Sequence, residues 1–76
     1  MSQVTHIGNT GKRRQHAVYN VSYDGRVYTV TPGLREATTI TEARVRGKMY
    51  RQVRKIFGTR LSELLTLVIR HERGEL

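Results

Sequence analysis

Asp24-Gly25, set between the β-rich runs HAVYNVSY and RVYTVT, constrains this 76-residue chain more than any other feature. A two-residue Asp-Gly linker suits the type I′ turn, whose twist matches that of the strands it joins. The turn dictates a register: Tyr23 opposite Arg26, Val21 opposite Tyr28, Tyr19 opposite Val30. One face of the hairpin then carries Ala17, Tyr19, Val21, Tyr23, Tyr28 and Val30. The other carries Val18, Asn20, Ser22, Val27, Thr29 and Thr31. The aromatic face is the expected core, each well-buried large side chain contributing about 1.5–3 kcal/mol. The second face is polar, uncharged and β-branched, either simply wet or a surface able to enter a DNA groove. Pro32-Gly33 ends the second strand.

The core available to so short a chain is small. It buries only about 60 % of the surface its unfolded form exposes. With no cysteine there is no disulfide and no Cys-based zinc site. His6, His16 and His71 are scattered without metal-ligand spacing, so no metal or other cofactor is expected. An unstapled domain of this size often completes its core by pairing, and a homodimer is the expectation.

Downstream of the hairpin, Thr39 and Glu42 stand at the two key positions of a capping box. Val45, Met49, Tyr50, Val53, Ile56 and Phe57 then fall on one helical arc of about 140°. These features predict a helix over residues 40–57, closed by Gly58. Gly47 interrupts it at about 1 kcal/mol relative to Ala. The last segment, from Thr59, is ambiguous. As a helix, Leu61, Leu64, Leu65, Leu67, Val68 and Ile69 cover roughly 200°, broad enough for burial between subunits. As a strand, Leu65, Leu67 and Ile69 alternate with their neighbours. The expected fold is α+β, an N-terminal β-hairpin followed by two helices. Its alternative is ββαβ with residues 65–71 as a third strand.

Charge points to the partner. The chain has 14 Lys or Arg against 6 Asp or Glu, a net charge of +8 and a pI near 10.9. Seven of the basic residues fall between Arg44 and Arg60, with no acid among them. On the expected helix Arg44, Lys48, Arg51 and Lys55 form one line opposite the apolar arc. An uncompensated row of like charge is stabilised by something negative, and nucleic acid is the commonest such partner. Residues 1–14 read as a flexible basic arm ending in Lys12, Arg13 and Arg14, with residues 15–76 as the single domain. The predicted phosphate contacts are Arg44, Lys48, Arg51, Arg54, Lys55, Arg60, Lys12, Arg13 and Arg14. Arg46 either joins them or covers core surface with its stem.

The segment Gly58-Thr-Arg-Leu-Ser-Glu-Leu-Leu-Thr-Leu-Val-Ile-Arg resembles the turn and second helix of ribbon-helix-helix DNA-binding proteins. Gly58, Ser62, Glu63, Leu64, Leu65, Val68 and Ile69 carry the resemblance, and Tyr50, Val53 and Phe57 suit the apolar positions of that family's first helix. It spans about 35 residues. It implies an intertwined dimer, phosphate contacts at Thr59 and Arg60, and base reading from the segment before the first helix, with Thr39 and Thr41 as candidates.

Ser2, Ser22 and Ser62 have no histidine or acid at motif spacing, the acids are unpaired, and there is no phosphate-binding glycine loop. The chain is therefore not expected to be an enzyme. The reading is a small DNA-binding protein, a transcriptional regulator or architectural factor of helix-turn-helix or ribbon-helix-helix type. With no signal peptide and no run of 18 apolar residues, a cytoplasmic, nucleoid-associated protein without membrane contact is expected. The alternative is a small phage-type inhibitor or adaptor held on an acidic surface of a host protein, such as the transcription machinery.

Overall fold

The computed structural model describes residues 2–75. Met1 and Leu76, the first residue of the expected arm and the last of the expected domain, lie outside the described residues. Five antiparallel strands follow one another in a simple meander: β1 (Gln3–Thr10), β2 (His16–Tyr23), β3 (Arg26–Thr31), β4 (Glu36–Val45) and β5 (Lys48–Lys55). A 3-10 turn at Pro32–Leu34 separates β3 from β4, and one helix, α1 (Gly58–Glu72), closes the chain.

The β2–β3 hairpin has the register that its turn dictates, Tyr23 opposite Arg26, Val21 opposite Tyr28 and Tyr19 opposite Val30. Asp24 and Gly25 both take positive φ, 51° and 75°, as a type I′ turn requires. The aromatic face is the buried one. Tyr19, Val21, Tyr28 and Val30 form the core with Val4 of β1, Ala37 of β4, and Leu64, Leu65 and Val68 of α1.

The helix is held on this face in register with β2. The Tyr23 hydroxyl donates to Glu63 at 2.9 Å, and the Tyr19 hydroxyl donates to Glu72 at 2.7 Å. Nine helical residues rise about 13.5 Å, and four strand residues span about the same distance. The two ties therefore match one helix length to one strand length. They orient α1 antiparallel to β2. Accepting these hydrogen bonds, the Glu72 and Glu63 carboxylates favour the neutral phenols and push the Tyr19 and Tyr23 hydroxyls above the usual tyrosine range.

The expected hairpin-plus-two-helices arrangement is overturned. Residues 40–57, expected as a helix, supply most of β4 and all of β5. The alternative third strand at 65–71 is overturned too, because those residues are helical. Thr39 and Glu42 cap nothing: both sit in β4, and Glu42 faces Arg51 across the ladder. Gly58 does not end a helix. At φ 68° it turns the chain from β5 into α1. With one helix rather than two, the helix-turn-helix or ribbon-helix-helix arrangement is absent. The apolar arc of α1, expected to be buried between subunits, is covered by the chain's own sheet through Leu64, Leu65 and Val68. Most of the amino-terminal segment expected as an arm takes strand conformation. Gln3–Thr10 is an edge strand paired to β2, with a bulge between His6 and Gly8, and Val4 reaches the core.

Candidate nucleic-acid interface

β3 pairs with β4 only from Glu36 to Thr39. Beyond Thr39, β4 pairs with β5 alone, as far as Val45 opposite Lys48. The result is a two-stranded ribbon that leaves the body of the sheet and extends about 20 Å beyond it. The molecule measures 46 × 34 × 22 Å as a consequence. Every residue of β5 is exposed. Ile40, Val45, Met49, Tyr50 and Val53 are each more than half exposed, although several of them formed the expected helical core arc.

The ribbon is stabilised locally. At its tip Arg46 and Gly47 take φ 51° and 78°, a second type I′ turn. Pairs across the ladder are complementary, with Ile40 opposite Val53 and Glu42 opposite Arg51. The Arg51 Nε donates to Glu42 at 2.8 Å, and the Thr41 hydroxyl donates to the Gln52 carbonyl at 3.3 Å. β-Branched residues at Thr38, Thr39, Ile40, Thr41, Val45 and Val53 suit the pleated backbone.

The ladder redistributes the charges. Arg44, Lys48, Arg51 and Lys55 make one line on a helix but not on a strand, where side chains alternate between faces. Arg44, Arg51 and Lys55 project from the face away from α1, whereas Lys48 and Arg54 project from the face shared with Ala37 and Thr39. Arg46 occupies the tip. Between Glu42 and Lys55 there are six cations and one acid, and that acid is paired with Arg51. The uncovered face of the β2–β3 hairpin, with Asn20, Val27 and Thr29, runs on to Ile40 through a cleft of about 510 Å³.

Other predicted residues lie elsewhere. Arg60 sits beside Asp24 at 3.6 Å and Glu63 at 3.7 Å, with its guanidinium 4.8 Å from the centre of the Tyr23 ring. Its charge fastens the β2–β3 turn to the start of α1 rather than standing free. Thr39, a candidate base reader, is buried, and its hydroxyl donates to the Val27 carbonyl at 3.0 Å. Only 7 % of Thr39 is exposed. The hydroxyl of Thr41, the other candidate, is engaged by Gln52. Lys12, Arg13 and Arg14 occupy the exposed β1–β2 loop. That loop lies at the opposite end of the sheet from the ribbon tip, roughly 35 Å away along the strands. The structure therefore splits the expected phosphate-binding set into two separate clusters, with Arg60 in neither.

The missed signal was symmetry. Ile40 and Val53, Thr41 and Gln52, and Glu42 and Arg51 are each equidistant from Arg46-Gly47. Apolar faces apolar and acid faces base about that dipeptide, which is what a hairpin produces. Among the described residues no group of three His, Asp or Glu side chains converges to hold a metal, and no helix is long and apolar enough to cross a membrane. No protein-family model, curated protein or solved structure shows significant similarity to this chain.

Proposed function

We propose that this chain is a small duplex-DNA-binding protein, a regulator or architectural factor of the nucleoid, that grips phosphates with the β4–β5 ribbon. One observation carries the reading: four cations (Arg44, Arg46, Lys48 and Arg51) and a single, already paired acid stand on the free ribbon, with Arg54 and Lys55 at its base, and no ribbon residue beyond Thr39 belongs to the core. Edge strands do carry Lys and Arg to discourage edge-to-edge pairing. That purpose needs charge along the free edges. Here Arg46 at the tip, on neither edge, is charged as well, on a projection whose like charges repel. Such an element is best stabilised by phosphates beside it.

The test is binding of a labelled random-sequence DNA duplex by fluorescence anisotropy. Arg44, Arg46, Lys48 and Arg54 are all changed to Gln in one variant. Lys12, Arg13 and Arg14 are changed to Gln in another. The first is expected to lose most of the affinity while keeping the thermal transition of the core. The second is expected to retain it. An unchanged affinity in the ribbon variant would remove the proposal. Recovery of a single acidic protein that survives nuclease treatment would favour the alternative partner.

A further inference from the structure

Resting on the DNA-binding reading above, we propose that the ribbon enters the major groove of B-form DNA, with phosphates on both sides of it, rather than lying against one phosphate row. The distribution of charge leads there. A surface that meets a single row of phosphates needs cations on one side only. The ribbon carries Arg44 and Arg51 on one face, Lys48 on the other and Arg46 at its end, and Lys55 and Arg54 continue the two faces at its base. Negative charge flanks a body on two sides when that body lies inside a groove.

Both long edges of the ribbon are free past Thr39, since β4 has left β3 and β5 is the last strand. Half of the backbone N–H groups along each edge therefore point outward in the plane of the ribbon, where they can donate to phosphate oxygens. Val45 and Met49 flank the tip and are more than half exposed, so methyl and thioether groups stand where base edges would lie.

Size selects the groove. The major groove of B-DNA, about 12 Å wide and 8.5 Å deep, admits a two-stranded ribbon, whereas the minor groove is only about 6 Å wide. The major groove of A-form RNA is too narrow for protein side chains to read. The ribbon's length of about 20 Å matches five to six base-pair steps, enough to lie along the groove floor.

The experiment measures binding of the intact chain to a DNA duplex, to an RNA duplex of the same sequence, and to the DNA duplex in the presence of two groove ligands. Methyl green occupies the major groove and distamycin the minor. Preference for DNA over RNA by about tenfold or more, competition by methyl green and indifference to distamycin are expected. Competition by distamycin alone, equal affinity for the RNA duplex, or a complex containing two duplexes in sedimentation would overturn groove entry while leaving DNA binding intact. Failure to bind either duplex would overturn the DNA-binding reading and this inference with it.

Discussion

Glu42 is the one acidic side chain on the ribbon, and its removal makes a prediction of unusual sign. Its carboxylate accepts from Arg51 at 2.8 Å, in a pair whose side chains are 44 % and 73 % exposed. So open an ion pair contributes at most about 1 kcal/mol, and Glu42→Gln leaves the fold intact. The substitution frees Arg51 for phosphate. With Arg51 held, the ribbon and its base offer five free cations: Arg44, Arg46, Lys48, Arg54 and Lys55. The dependence of log K on log salt should then have a slope of about −4.5, and freeing Arg51 should steepen it to about −5.4. The same relation, extrapolated to a common 1 M reference, makes the variant about 15-fold tighter at 50 mM salt and about 4-fold tighter at 200 mM. Titration of a labelled duplex across that range measures both quantities. Glu42→Gln combined with Arg51→Gln should return the slope to the wild-type value. If Glu42→Gln binds no tighter and its slope stays put, phosphates do not meet this face of the ribbon, and the reasoning fails.

Three further outcomes test the fold beneath the site. Leu64 is fully buried between α1 and the sheet, so Leu64→Ala should lower stability by about 2–5 kcal/mol in urea titration, a large share of what a domain of this size possesses; a loss under about 1 kcal/mol would mean that α1 does not seal the core. Gly47 has φ 78°, so Gly47→Ala should strain the ribbon tip by roughly 1 kcal/mol. Amide exchange should quicken along Arg44–Met49 while the melting temperature stays nearly constant, since the ribbon lies outside the core; equal effects on both would contradict that independence. Tyr19 and Tyr23 have raised pKa values because their hydroxyls donate to Glu72 and Glu63. The folded chain therefore holds these protons more tightly than the unfolded one. The stabilisation is whole below about pH 10 and is lost as pH rises through the raised values. Changing both residues to Phe should remove that part of the alkaline decline in the urea midpoint, and an unchanged decline would place its origin elsewhere.

The β2–β3 hairpin could be read from the chain alone, because Asp24-Gly25 permits few backbone conformations and its turn ties each residue to one partner. The helical character of the last segment was legible as one of two readings. Its buried side required the sheet: Leu64, Leu65 and Val68 are sealed by β1–β4, whereas Ile69 remains 43 % exposed. Residues 40–57 misled for a physical reason. The positions of Val45, Met49, Val53 and Phe57 satisfy helical spacing, and Thr39 and Glu42 mimic a capping box. What opposes a helix there is a set of pairings beyond the three- and four-residue reach of a helix: β4 against β3, Ile40 against Val53, and Glu42 against Arg51.

By itself, then, the sequence determined a turn, a hairpin register, an aromatic core face and an excess of positive charge, all of which follow from short-range geometry or simple counting. Only the tertiary structure decided where that charge goes. Pairing β4 with β5 turned a one-sided helical stripe into a two-sided ribbon, because side chains alternate across a strand and share a face on a helix. Packing of α1 on the sheet brought Arg60 beside Asp24, pairing of β4 with β3 buried Thr39, and the meander left Lys12–Arg14 at the far end of the sheet.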